Sequence, residues 1–178
     1  MPGIIALSSQ LELGSAAWVQ KASMSTAPYA FGVAALGNFV VVAGGILGTT
    51  PVATAEVYNI AHNNWTTVGS LAHTRSWFNL VVVGTDVFAL GGRPNGGPMV
   101  EVIERLSLAS LLESGAEVDQ TLQWNDTSWR LQPSLLGFAS LVNGLDILIV
   151  GGYDENDYVR HPPKVGYEPP PDLVSARY

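Results

Sequence analysis

The sequence predicts an all-β fold built from repeated four-stranded sheets, and three observations predict it. Gly-Gly pairs close apolar runs at Gly44-Gly45, Gly91-Gly92 and Gly151-Gly152, the first two 47 residues apart. Trp18 and Trp65 repeat that offset of 47, and each stands 26 residues ahead of its Gly-Gly. The runs between these markers are short, rich in β-branched and aromatic residues, and lack a 3.6-residue period. Self-similarity at such a period signals a repeat architecture, in which each unit buries its apolar face only against the next.

The elements follow in order. Residues 1–17 read as remnant strands of a preceding unit, at Ile4–Leu7 and Gln10–Leu13. The repeats run over 18–152. In the first unit the strands a to d are Phe31–Leu36, Phe39–Ala43, Thr54–Ile60 and Trp65–Leu71. Leu36-Gly37-Asn38 and Val83-Gly84-Thr85 suit tight a–b turns. Counting back from each Gly-Gly, Met24, Leu71 and Leu131 coincide, as do Phe31, Phe78 and Phe138, and Gly37, Gly84 and Gly144. Beyond the pair, Ala55-Glu56-Val57-Tyr58 aligns with Val100-Glu101-Val102-Ile103. Four short strands per repeat make the blade of a β-propeller. The second blade is stretched by an insertion within 105–123. Leu108, Leu111 and Leu112 there have helical spacing, Gly115 suits a helix end, and the whole reads as a solvated loop. The third unit keeps strands a and b only. Residues 153–178 hold five of the eleven prolines and read as a disordered Pro-rich tail.

An apolar strand ending in Gly-Gly, then Glu-x-Tyr, then Trp seven residues after the Tyr, is the order Gly44-Gly45, Glu56-Val57-Tyr58, Trp65. This order resembles the kelch repeat. The resemblance covers about three repeats, with Trp18, Gly91, Gly92, Glu101, Gly151 and Gly152 as the matching positions of the others. It implies an incomplete propeller of two to three blades, whose open edges invite self-association. It also implies a non-enzymatic protein-interaction module, a fragment of a substrate-recognition adaptor. The alternative is a fragment of a kelch-fold carbohydrate-active enzyme such as a sugar mutarotase. The family's copper oxidase chemistry uses a Cys-linked Tyr, and this chain has no Cys.

Composition narrows the partners. A net charge of −7 argues against nucleic acid and against an anionic membrane surface. No apolar run approaches the roughly 20 residues of a spanning helix, and no signal peptide is legible, so a soluble, cytoplasmic protein is expected. His62, His73 and His161 lack metal-ligand spacing, and no phosphate loop or nucleophile elbow occurs. No catalytic residue, cofactor or metal is therefore assigned.

In a four-stranded meander the a–b and c–d turns lie at one end, and the b–c and d–a loops at the other. The b–c loops Ile46–Val52 and Arg93–Pro98 are rich in Gly and Pro. Together with the d–a loops they supply the expected partner-binding residues Tyr29, His73, Arg75, Arg93 and Asn95. Arg93 and Arg75 are the cations so placed, and a cation beside exposed N–H groups suits a carboxylate or acidic peptide.

Overall fold

The computed structural model describes residues 5–7, 18–114, 117–159 and 164–166. Its architecture is all-β. A two-stranded sheet opens the chain, with β1 (Ile5–Leu7) antiparallel to β2 (Trp18–Gln20). The side chain of Trp18 and the segment Gln10–Leu13 lie outside the described residues. The first blade is the meander β3 (Gly32–Leu36), β4 (Phe39–Ala43), β7 (Ala55–Asn59), β8 (Asn64–Val68). Its b–c loop carries the small hairpin β5 (Ile46–Leu47) and β6 (Thr50–Pro51). The second blade is β9 (Asn79–Val83), β10 (Asp86–Leu90), β11 (Val102–Ser107), β12 (Trp124–Gln132), with the helix α1 (Ala109–Ser114) between its last two strands. The third sheet is β13 (Ala139–Asn143) with β14 (Asp146–Val150). Finally β15 (Lys164–Gly166) pairs with β12 as a fifth strand of the second blade. Among the described residues these sheets do not close a propeller ring.

The a–b turns sit where the sequence places them. Gly37, Gly84 and Gly144 each take the first of two turn positions with positive φ, which the right-handed twist of a hairpin favours. The Gly-Gly pairs work at the junction between blades. A Cβ on Gly44 would meet the carbonyl of Arg75 and the ring of Phe78. On Gly91 it would meet the carbonyl of Leu135 and the ring of Phe138. The amides beside these contacts tie successive blades, Gly45 N–H donating to Arg75 O (2.8 Å) and Gly92 N–H to Leu135 O (2.7 Å). Only a residue without Cβ lets the next blade come this close.

Alternation along each strand splits every blade into two faces. Phe39, Val41 and Ala43 of the first blade meet Leu80, Val87 and Ala89 of the second in one apolar core. Val81, Phe88 and Leu90, on the opposite face of the second blade, meet Phe138 and Ile149 of the third.

Strand c of the second blade corrects the expected register. Val42 lies opposite Glu56 and Ala89 opposite Glu104. Glu104, not Glu101, is therefore the second copy of Glu56. Glu101 is exposed because it precedes the strand. Likewise Tyr58 faces Trp65, and Leu106 rather than Ile103 takes the place of the Tyr, facing Trp124.

The insertion is also corrected. Residues 105–107 belong to β11, and Leu108 and Leu111 are buried in the core shared by the first two blades, with Val118 and Leu122 packed beside them. Gly69 N–H donates to Leu122 O, fastening the insertion to the first blade. It closes the seam between blades instead of extending into solvent. At the other end the repeat pattern continues through Val159, whose N–H bonds Gly152 O as Val52 bonds Gly45 and Val100 bonds Gly92. Most of the Pro-rich segment lies outside the described residues.

Candidate functional site

Strand order fixes which loops share an end. Tyr29 bridges Ile46, Ser76 bridges Arg93, and Leu136 bridges Tyr153, so each d–a loop lies against the b–c loop of its own repeat. Tyr29, Arg93 and Asn95 are exposed there, and His73 is partly exposed. Arg93 and Ser76 exchange backbone hydrogen bonds of 2.9 and 3.0 Å, and among the described residues the Arg93 guanidinium has no ion pair. A cleft of about 690 Å³ opens between the loops, lined by Ala72, His73, Thr74, Pro94, Met99 and Glu101 among others.

Arg75 does not join this face. It is 0% exposed. Its Nη2 donates to Glu104 Oε1 (2.6 Å) and Val102 O, and its Nη1 to Ala89 O and Gly91 O. Burial draws its pKa below the usual arginine value, and the negative charge of Glu104 opposes that shift. Arg75 is thus a structural cation that binds strands b and c of the second blade to the preceding loop. Glu104 completes the tie, accepting from the N–H groups of Ala72 and His73. Glu56 does the same one blade earlier, accepting from Ser25 N–H, Thr26 N–H and the Thr26 hydroxyl. The repeated Glu therefore pins each c strand to the d–a loop beside it. Trp65 adds a parallel tie, its Nε1 donating to Ala22 O while its ring packs against Tyr58.

His73, Glu104 and Asp126 offer three ligand atoms within 4.8 Å of one another. Glu104 is already the partner of a guanidinium at 2.6 Å, and that fixed positive charge opposes a divalent cation on the same carboxylate. The cluster is organised by the Arg75–Glu104 ion pair, with His73 Nε2 3.7 Å from Asp126 Oδ2.

One residue on this face escaped the sequence reading. Trp77 is 53% exposed, with φ 57°, a left-handed conformation rare for a bulky side chain. Ala30 and Gly137 hold the same repeat position with φ 54° and 62°. A ladder links the three, Trp77 N–H donating to Ala30 O and Gly137 N–H to Trp77 O. Tyr29, 52% exposed, adjoins Ala30, and Arg93 pairs with Ser76, so Tyr29, Trp77 and Arg93 sit along one rim. Residue type at one position gives no hint of this, and only the repeat alignment with Ala30 and Gly137 marks the site.

The kelch-motif model matches residues 27–72, the span from the first d–a loop through strand d of the first blade. Those residues match the kelch motif, and the chain is similar to kelch-repeat proteins over that part of its length. It is 33% identical to mouse Kelch-like protein 9 over 90 residues, 48% of this chain and 15% of that protein. It is 36% identical to mouse Kelch-like protein 40 over 75 residues, 42% of this chain and 12% of the relative. Alpha-scruin of Limulus polyphemus is 27% identical over 103 residues, 56% of this chain and 10% of that protein. The chain thus spans only 10–15% of the length of these relatives.

Among the described residues no helix is long and apolar enough to cross a membrane.

Proposed function

We propose that this kelch segment is a non-enzymatic protein-interaction module that grips a partner peptide with the rim formed by its d–a and b–c loops. The observation that carries the reading is the grouping of Trp77, Tyr29 and Arg93 on that rim. Large aromatics and arginine are the residues that dominate binding energy at interfaces. A bulky ring held in a left-handed backbone costs conformational energy, and such strain clusters at binding sites. Arg93 with the neighbouring Gly96 and Gly97 favours an acidic ligand, and the acidity of the rest of the chain makes this cation stand out. The partner class is therefore an acidic peptide with an apolar side chain, as a substrate-recognition adaptor would take.

The test is selection of a random peptide library on the immobilised chain, followed by affinity measurement on Arg93→Ala and Trp77→Gly. Loss of the charged contact should weaken binding by about 1.5–3 kcal/mol and steepen less with salt. Trp77→Gly should weaken it by about 2 kcal/mol or more while leaving stability equal or higher, because Gly adopts positive φ freely. Selected peptides without acidic enrichment, or affinity unmoved by both substitutions, would refute the reading.

A further inference from the structure

The face of the second blade that looks toward the third is divided. Its inner part, Val81, Phe88 and Leu90, is apolar and covered by β13 and β14. Nearer the a–b turn it changes character. Where the first blade has Phe39 and Val57 on this face, the second has Asp86 and Arg105. These two form an ion pair, Arg105 Nε to Asp86 Oδ2 at 2.9 Å. Replacing a Phe and a Val by two charges does not suit a seat for another sheet, since buried charge must be solvated or fully hydrogen-bonded. The second oxygen, Asp86 Oδ1, is buried and has no hydrogen-bond partner among the described residues.

These groups line a cleft of about 810 Å³, within the size of small-molecule sites. The c–d insertion and β12 supply its other wall, with Gln123, Asn125 and Trp129. Trp129 stacks on Phe88 with centroids 5.3 Å apart and planes 17° apart, giving the cleft a flat aromatic border. The wall therefore presents an acceptor (Asp86), a donor (Arg105), side-chain amides that do both, and an aromatic surface. Hydroxyl groups donate and accept at once, and the C–H face of a sugar ring is apolar. Asp126 lines the cleft as a second, exposed carboxylate acceptor, while Arg105 offsets the charge of Asp86 at 2.9 Å.

The geometry points to a non-catalytic binding site for a neutral polyhydroxylated ring, of monosaccharide size, in the cleft between Asp86–Arg105 and Trp129. This site lies at the end of the blade opposite the loop rim and is independent of the peptide-binding reading.

The experiment is a ¹H–¹⁵N NMR titration of the full chain with methyl glucoside, methyl galactoside and, separately, spermidine, reading the Trp129 indole and Arg105 Nε signals. The expected result is a saturable shift of both signals with at least one glycoside, with Kd on the order of millimolar. Asn125→Ala, a change at an exposed residue, should weaken binding several-fold. The double change Asp86→Phe with Arg105→Val, which copies the first blade, should abolish it while the remaining amide spectrum stays folded. Spermidine binding with no glycoside binding, shifts that do not saturate, or glycoside binding undisturbed in the folded double variant would each overturn the assignment.

Discussion

The same blade face has two fates in this molecule. In the second blade it holds Val81, Phe88 and Leu90, which are 5%, 5% and 0% exposed. In the third blade the equivalent Leu141, Leu148 and Val150 are 64%, 50% and 60% exposed. The glycines tell the same story. Gly91 has φ 65° and is pressed by the following blade, whereas Gly151 has φ 68° and a Cβ there would meet nothing within 4 Å. The repeat pattern thus specifies the blade, its turns and its apolar alternation. Burial is conferred by the neighbour, and among the described residues no blade follows the third.

That contrast can be broken first by truncating the rings and chains of the two faces. Phe88→Ala should cost about 3–5 kcal/mol in chemical denaturation, the usual loss for a buried ring. Leu148→Ala should cost less than about 1 kcal/mol, because its side chain is already half in water. Similar losses at both would mean that the third blade is covered in solution. Arg75→Ala should also cost about 3–5 kcal/mol, since it leaves Glu104 buried and unpaired. A neutral result would show that the loop reorganises to admit water.

A sharper version uses Ala at the two glycines. Both positions share nearly the same φ, so the backbone penalty of about 1 kcal/mol is common to both. The clash with Leu135 O and Phe138 belongs to Gly91 alone and should add about 1–3 kcal/mol. The difference between Gly91→Ala and Gly151→Ala therefore reads the junction itself. Equal penalties would contradict the close approach.

The open face also bears on assembly. An exposed apolar sheet face favours association, so sedimentation of the chain should show oligomers that dissociate in Leu141→Glu with Val150→Lys. A sharp monomer before substitution would mean the face is sealed.

The smallest expected effect is local. Asp154 caps the last b–c loop, accepting from Asn156 N–H and Asp157 N–H, and these bonds hold its pKa below the usual carboxylate value. Its folded pKa is depressed, so its contribution is complete above the ordinary Asp range and fades as pH falls through the depressed value. The carboxylate is exposed, so the chemical shifts of Asn156 and Asp157 should report it while global stability hardly moves.

Much of this organisation is legible in the sequence, and the failures have physical causes. The a–b hairpins and Gly-Gly pairs were readable because turn length and backbone approach restrict residue type. Strand c was misregistered by three residues, Glu101 for Glu104, because the b–c loops differ in length and a loop leaves no periodic trace. Arg75 was misplaced on the surface because its partner, Glu104, comes from a strand 29 residues away. The insertion looked solvated because its acidic residues hide that Leu108 and Leu111 point into a core made by two blades. Trp77 was missed because a left-handed position normally announces itself by Gly or Asn.

The two exposed regions, the loop rim and the open face of the third blade, are rival sites for a protein partner. The most direct test is to map an acidic peptide selected on this chain by ¹H–¹⁵N NMR titration. Binding at the loop rim gives shifts clustered on Tyr29, Trp77, Arg93 and Asn95. Shifts centred instead on Leu141, Leu148 and Val150 would contradict it.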